Sequence, residues 1–109
     1  MGQQRALLLA AAIVFTGAAT DGGQAQAQPA AGQALLEQHC AMCHAIRKTG
    51  TSPHPAAPPL RQISRTYDLD KFTEILQRGI IAGHPDMPPF RFSRRDARAI
   101  TSYLRSIEE

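Results

Sequence analysis

The placement of proline sets the strongest limit on this chain. Of its eight prolines, Pro53, Pro55, Pro58 and Pro59 fall between Thr49 and Pro59. Pro85, Pro88 and Pro89 fall between Ile80 and Phe92. Proline has no N–H to donate, and its ring clashes with a preceding helical turn, so both stretches read as loops. Regular structure must fit around them. Gly32 to Cys43 reads as a helix, with Gly32, Leu36, Cys40 and Cys43 on one face. Leu60, Ile63 and Tyr67 suggest a short helix. Asp68 can cap another, with Leu69, Phe72, Ile75 and Leu76 inward and Gly79 as its stop. Ser93-Arg94-Arg95-Asp96 has the form of a capping box. Ala97, Ile100, Tyr103, Leu104 and Ile107 then line one side of a last helix. There is no internal repeat, no heptad pattern and no run of strand-like alternation. The expectation is an all-α domain of three to four short helices joined by two Pro-rich loops.

Residues 1–27 stand apart from that domain. Arg5 precedes an unbroken apolar run from Ala6 to Phe15, and a polar stretch then ends in Ala25-Gln26-Ala27. This is the pattern of a secretory signal peptide with an A-x-A cleavage site. Ten apolar residues make about 15 Å of helix, roughly half of a bilayer core, so the run is too short to read as a retained span. No cysteine lies near the cut, which argues against a lipid anchor. The expected mature domain is 28–109, exported and, in a bacterium, periplasmic, with no membrane span.

The mature part is short of core material. The whole chain has no Trp, and its aromatics make up 6% of the residues. Beyond residue 27 only Tyr67, Phe72, Phe90, Phe92 and Tyr103 remain. Chains of this size often depend on a disulfide, a metal or a cofactor to hold a fold. Two cysteines allow one bridge at most, so a disulfide framework is excluded.

Those two cysteines lie in Cys40-Ala41-Met42-Cys43-His44, the C-x-x-C-H signature of c-type haem attachment. Two thiols three residues apart on a helical turn can both form thioethers to the haem vinyl groups. The adjacent imidazole then reaches the iron as proximal ligand. A redox dithiol would want a βαβ setting, which the sequence lacks. A zinc site would want two further ligands at finger-like spacing. Export favours haem, which is attached in this form outside the cytoplasm. A single covalent haem c would also supply the missing apolar surface, with Leu36, Leu60, Phe72, Leu76, Ile100 and Tyr103 as its expected packing.

From about Gly32 to Ile107 the sequence resembles the class I cytochromes c, the small monohaem family. Gly32 and Leu36 match that family's Gly and large apolar residue ahead of the first attachment cysteine. Ile100 and Tyr103 match the pair on its C-terminal helix. Ala57-Pro58-Pro59-Leu60 matches its G-P-x-L segment apart from the Gly. The resemblance implies that the Pro58 carbonyl orients His44, with Pro59 as the neighbouring possibility. A metal-bound histidine usually needs its other N–H fixed in this way. His84-Pro85-Asp86-Met87-Pro88-Pro89-Phe90 resembles the family's axial-methionine loop, where M-P-x-F is common. Met87 is therefore the expected distal iron ligand. Met42, inside the attachment motif, cannot reach across the ring. His84 is the rival, His54 a weaker one, and His39 is expected to face solvent.

The resemblance implies a periplasmic electron carrier, not an enzyme, cycling between Fe(III) and Fe(II) with His44/Met87 ligation. The alternative is the cytochrome subunit of a periplasmic dehydrogenase complex, for example one oxidising sulfite or an alcohol. An open-site haem protein that binds ligands or acts as a peroxidase would need Met87 off the iron. The formal charge is +3, and removing the leader leaves it unchanged. Arg47, Lys48 and Arg91 flank the two loops and are the expected docking residues for redox partner proteins. Arg61, Arg65 and Tyr67 read as surface residues before they read as partners of the haem propionates. An exported chain with no recognition motif and few aromatics does not read as a nucleic-acid binder.

Overall fold

A computed structural model describes residues 11–15, 17 and 22–109, with the side chains of the first helix described from Gln28 onward. Most of the expected leader lies outside the described residues, while its expected cut after Ala27 falls within the backbone of the first helix, Gly22–His39. Within the leader, Ile13, Val14 and Phe15 are exposed.

The chain builds helix α1 (Gly22–His39), a 3₁₀ helix (Leu60–Arg65), α2 (Leu69–Arg78) and α3 (Arg94–Ile107). Among the described residues there is no strand, only an isolated antiparallel bridge between Ile80 and Phe90. The all-α expectation holds. α1 differs from its expected span at both ends. It begins before Gly32, because the Ala/Gln-rich stretch ahead of it favours helix and Pro29 removes one backbone bond without ending it. It stops before the first cysteine. The N–H groups of Cys40 and Ala41 both donate to the Leu36 carbonyl, at 2.8 and 2.9 Å, which widens the last turn. The attachment cysteines therefore sit on a turn beyond the helix and do not continue its face.

α2 starts where Asp68 accepts from the N–H groups of Asp70 and Lys71, at 3.0 and 3.1 Å. It buries Leu69, Phe72 and Leu76, while Ile75 is only half-buried. Gly79, at φ 118°, ends it in a conformation that disfavours other residues. Ser93 caps α3 through the Asp96 N–H at 3.1 Å. α3 is buried more widely than one stripe. Ala99 and Thr101 join Ala97, Ile100, Tyr103, Leu104 and Ile107 because α1 and α2 pack on different sides of it.

The helices α1 and α3 cross closely at Gly32. A Cβ on Gly32 would overlap the Ala99 carbonyl and lie 2.9 Å from the Ile100 nitrogen. Leu36, Ile100 and Leu104 fill the space beside this crossing. α2 is tied to α3 by the Thr73 hydroxyl donating to that of Thr101, at 2.8 Å. The Tyr103 hydroxyl donates to the Ile46 carbonyl at 2.8 Å, which fixes the chain leaving the cysteine turn.

Candidate functional site

The cysteine turn is held from both sides. The N–H groups of Cys43 and His44 return to the Cys40 carbonyl, at 3.2 and 2.8 Å. The first Pro-rich loop folds back over the turn. His54 N–H donates to the Cys43 carbonyl at 3.1 Å, and Ala45 N–H donates to the Ser52 hydroxyl at 3.0 Å. Leu60 N–H donates to the Ala45 carbonyl at 2.9 Å. Its four prolines restrict the backbone, and a turn closed by the Ala57 N–H donating to the His54 carbonyl at 3.1 Å bends it into a stiff strap.

One carbonyl of that strap fixes His44. Its Nδ1 lies 2.7 Å from the Pro58 oxygen. A carbonyl can only accept, so Nδ1 carries a proton, and in the neutral ring Nε2 keeps its lone pair. His44 is thereby set as a donor ligand through Nε2.

Cys40, Cys43 and His44 line a cavity of about 700 Å³, and so do Pro58 and Met87. Ala56, Ala57, Pro88 and Phe90 give it apolar walls. Met87 is half-buried, on a loop whose neck is closed by the two bonds between Ile80 and Phe90, at 2.8 and 3.3 Å. Met42 is 88% exposed. The two thiols are free and half-buried. Burial pushes the Cys40 thiol up to about 11, and the neighbouring Cys43 adds to the shift. Cys40 is thus a protonated thiol at neutral pH.

The rival histidines are placed differently from one another. His54 Nδ1 accepts from the Ala56 N–H at 3.1 Å, so Nε2 carries the proton and donates to Asp86 Oδ2 at 3.1 Å. Both its nitrogens are engaged. His84 Nδ1 accepts from the Asp86 N–H at 3.2 Å, so its Nε2 carries the proton beside the same cavity and offers no lone pair in this tautomer. His39 does not face solvent as expected. It is half-buried, with its ring edge-on to Phe90 at 5.7 Å and to Phe92 at 5.4 Å. Two aromatics on a distant loop offer its ring more contact than water does, and no local sequence pattern signals that pairing.

The expected docking residues lie outside the cavity wall. Arg47 pairs with Glu37 at 2.8 Å, Arg91 donates to the Gln77 carbonyl at 3.1 Å, and Lys48 is exposed. Arg61 donates to the Gly50 carbonyl and faces Glu109 with Arg65, while Tyr67 packs on Phe72. None of these three lines the cavity; Arg65 and Tyr67 are exposed as expected, whereas the Arg61 side chain is only 15% exposed, packed by its contacts with Gly50 and Glu109. Leu36, Leu60, Phe72, Leu76, Ile100 and Tyr103 pack into one helical core instead of lining it.

Haem fits this site. The cavity is within the roughly 300–1,000 Å³ usual for cofactor pockets. Two thiols stand at its wall beside an imidazole of fixed tautomer, and the wall also includes two thioethers, the half-buried one of Met87 and the exposed one of Met42. Among the described residues no group of three or more His, Cys, Asp and Glu side chains converges to hold a bare metal ion. The helical fold, the C-x-x-C-H turn and this cavity define a c-type cytochrome domain. A family model described as cytochrome c oxidase, cbb3-type, subunit III, matches residues 27–104, and the chain belongs to that family. No curated protein and no solved structure matches the chain. Membership implies electron transfer through covalently bound haem c and redox partner proteins. No described helix is long and apolar enough to cross a membrane.

Proposed function

We propose that residues 28–109 are an exported, periplasmic electron carrier holding one haem c on Cys40 and Cys43, with His44 and Met87 as its axial ligands. The observation that carries this reading is the shared cavity of Cys40, Cys43, His44 and Met87. When bound, the haem supplies one-electron cycling between Fe(III) and Fe(II). The chain's own residues hold it and keep its surroundings constant. Pro58 keeps the Nδ1 proton on His44 and so keeps Nε2 available. The Pro-rich loops are stiff, so little of the surroundings rearranges when charge changes. A thioether ligand raises the reduction potential relative to a second imidazole.

An optical and redox titration of the holoprotein tests this. The oxidised protein should show a sulfur-to-iron charge-transfer band, and Met87→Ala should lose it and titrate at a lower potential. A wild-type protein without the band defeats the Met87 assignment. A second reading, a subunit of a larger redox complex, draws support from the family description, which names an oxidase subunit. Size exclusion of material from the native host separates them. Elution as a free small protein supports the carrier, and co-elution with a larger assembly supports the subunit.

A further inference from the structure

The loop carrying Met87 is anchored at its base by the Ile80–Phe90 bridge, but its tip is largely exposed. Among the described residues, one hydrogen bond ties residues 81–89 to another segment of the chain, from His54 Nε2 to Asp86 Oδ2. His54 is well placed to carry it. Its backbone N–H is bonded to the Cys43 carbonyl at 3.1 Å, inside the attachment turn. Its ring is oriented by the Ala56 N–H on Nδ1, and its edge meets the His84 ring at 5.8 Å. Asp86 is next to Met87, and the Met87 N–H returns to the His84 carbonyl at 3.1 Å. One residue therefore joins the turn that fixes the haem to the loop bearing its distal ligand.

We propose that His54 is a positioning residue that braces the Met87 loop against the attachment turn and keeps Met87 on the iron. This rests on Met87 as the distal ligand. The brace works through a neutral donor bonded to a carboxylate, and it biases an equilibrium between Met87 bound and Met87 released. An external ligand binds only the released form, so its apparent affinity scales with that form's population. The bond is partly solvent-exposed, with side-chain exposures of 29% for His54 and 63% for Asp86, so its effect is modest.

The test is imidazole binding to the oxidised holoprotein, read with the charge-transfer band. His54→Phe keeps a ring against His84 and removes both ring hydrogen bonds. It should bind imidazole about three- to tenfold tighter. His54→Gln restores a donor towards Asp86 and should recover much of the wild-type affinity. Asp86→Ala should match His54→Phe, with no further gain in the double variant, and it serves if the Phe variant does not fold. Unchanged imidazole affinity in a wild-type background that shows the band overturns the brace and leaves the Met87 reading standing. If wild type lacks the band, the Met87 reading falls. Amide exchange at Met87 then decides: faster exchange in His54→Phe retains the brace, and equal protection overturns it.

Discussion

Replacing Gly32 by alanine puts the packing argument at its greatest risk. In an exposed helix interior that change stabilises by about 1 kcal/mol, because glycine has more freedom to lose. Here the sign should reverse. The added Cβ would overlap the Ala99 carbonyl and crowd the Ile100 nitrogen. Both obstacles are main chain of α3, so no rotamer change can clear them and the helices must part. Parting uncovers Ile100 and Leu104, the most completely buried large side chains. Overpacking a core costs about 1–3 kcal/mol, and an obstacle made of backbone places this site near the top of that range. For a domain of this size each kcal/mol moves Tm by about 4–8 °C, so the fall should be on the order of 10–20 °C. Thermal unfolding of the holoprotein by far-ultraviolet circular dichroism measures it, with Ala34→Ser on the exposed side of α1 as control. Adding Ala99→Gly should give no rescue, because the obstructing atoms are not the Ala99 side chain. A Gly32→Ala protein that melts at or above the wild-type temperature refutes the close crossing.

Two further outcomes follow from the same structure. Tyr103→Phe strips the Ile46 carbonyl of its donor and should cost about 1–2 kcal/mol in denaturant titrations near neutral pH. Burial raises the Tyr103 phenol above its ordinary value of 10, with Arg47 opposing and Glu37 adding to the shift. A raised folded-state value gives stability that is full below the unfolded value and is lost as pH climbs through the folded one. The gap between wild type and the Phe variant should therefore narrow in alkaline buffer, and a gap independent of pH up to strong alkali would contradict that reasoning. A Cys40→Ala/Cys43→Ala chain, which cannot tether haem, should lose most of its cooperative melting transition, because cofactor binding and folding are linked. A sharp transition in that chain would show that the helical core suffices alone.

Local chemistry made much of this architecture legible, and long-range contact did not. The caps at Asp68 and Ser93, the stop at Gly79 and the buried stripe of α3 all depend on residues within a few positions of each other. So does the attachment motif, whose spacing is its meaning. The start of α1 was missed because propensity in its Ala/Gln stretch outweighs one proline. Its end was missed because periodicity cannot show that two amides share the Leu36 carbonyl. His39 against Phe90 and Phe92, and His54 against Asp86, join segments far apart in sequence. Nothing local to either histidine reports such a partner.

The placement of the prolines acquires a second meaning from those contacts. In the sequence they only forbid helix. In the fold, the first loop presents the Pro58 carbonyl to His44 and sends His54 towards Asp86, so one stiff strap bears on His44 and on the loop that carries Met87. The second loop is stiff at Pro88 and Pro89 but leaves the crevice through a neck of two hydrogen bonds. Rigidity is thus unequal between the two sides. The His44 side is fixed by the attachment turn and its strap, while the Met87 side has a neck, the aromatic contact of Phe90 with His39 and one exposed brace. With His44 and Met87 as the proposed axial pair, stress on the holoprotein, whether thermal or from a competing ligand, should therefore release the methionine before the histidine, read as loss of the sulfur-to-iron charge-transfer band ahead of haem release.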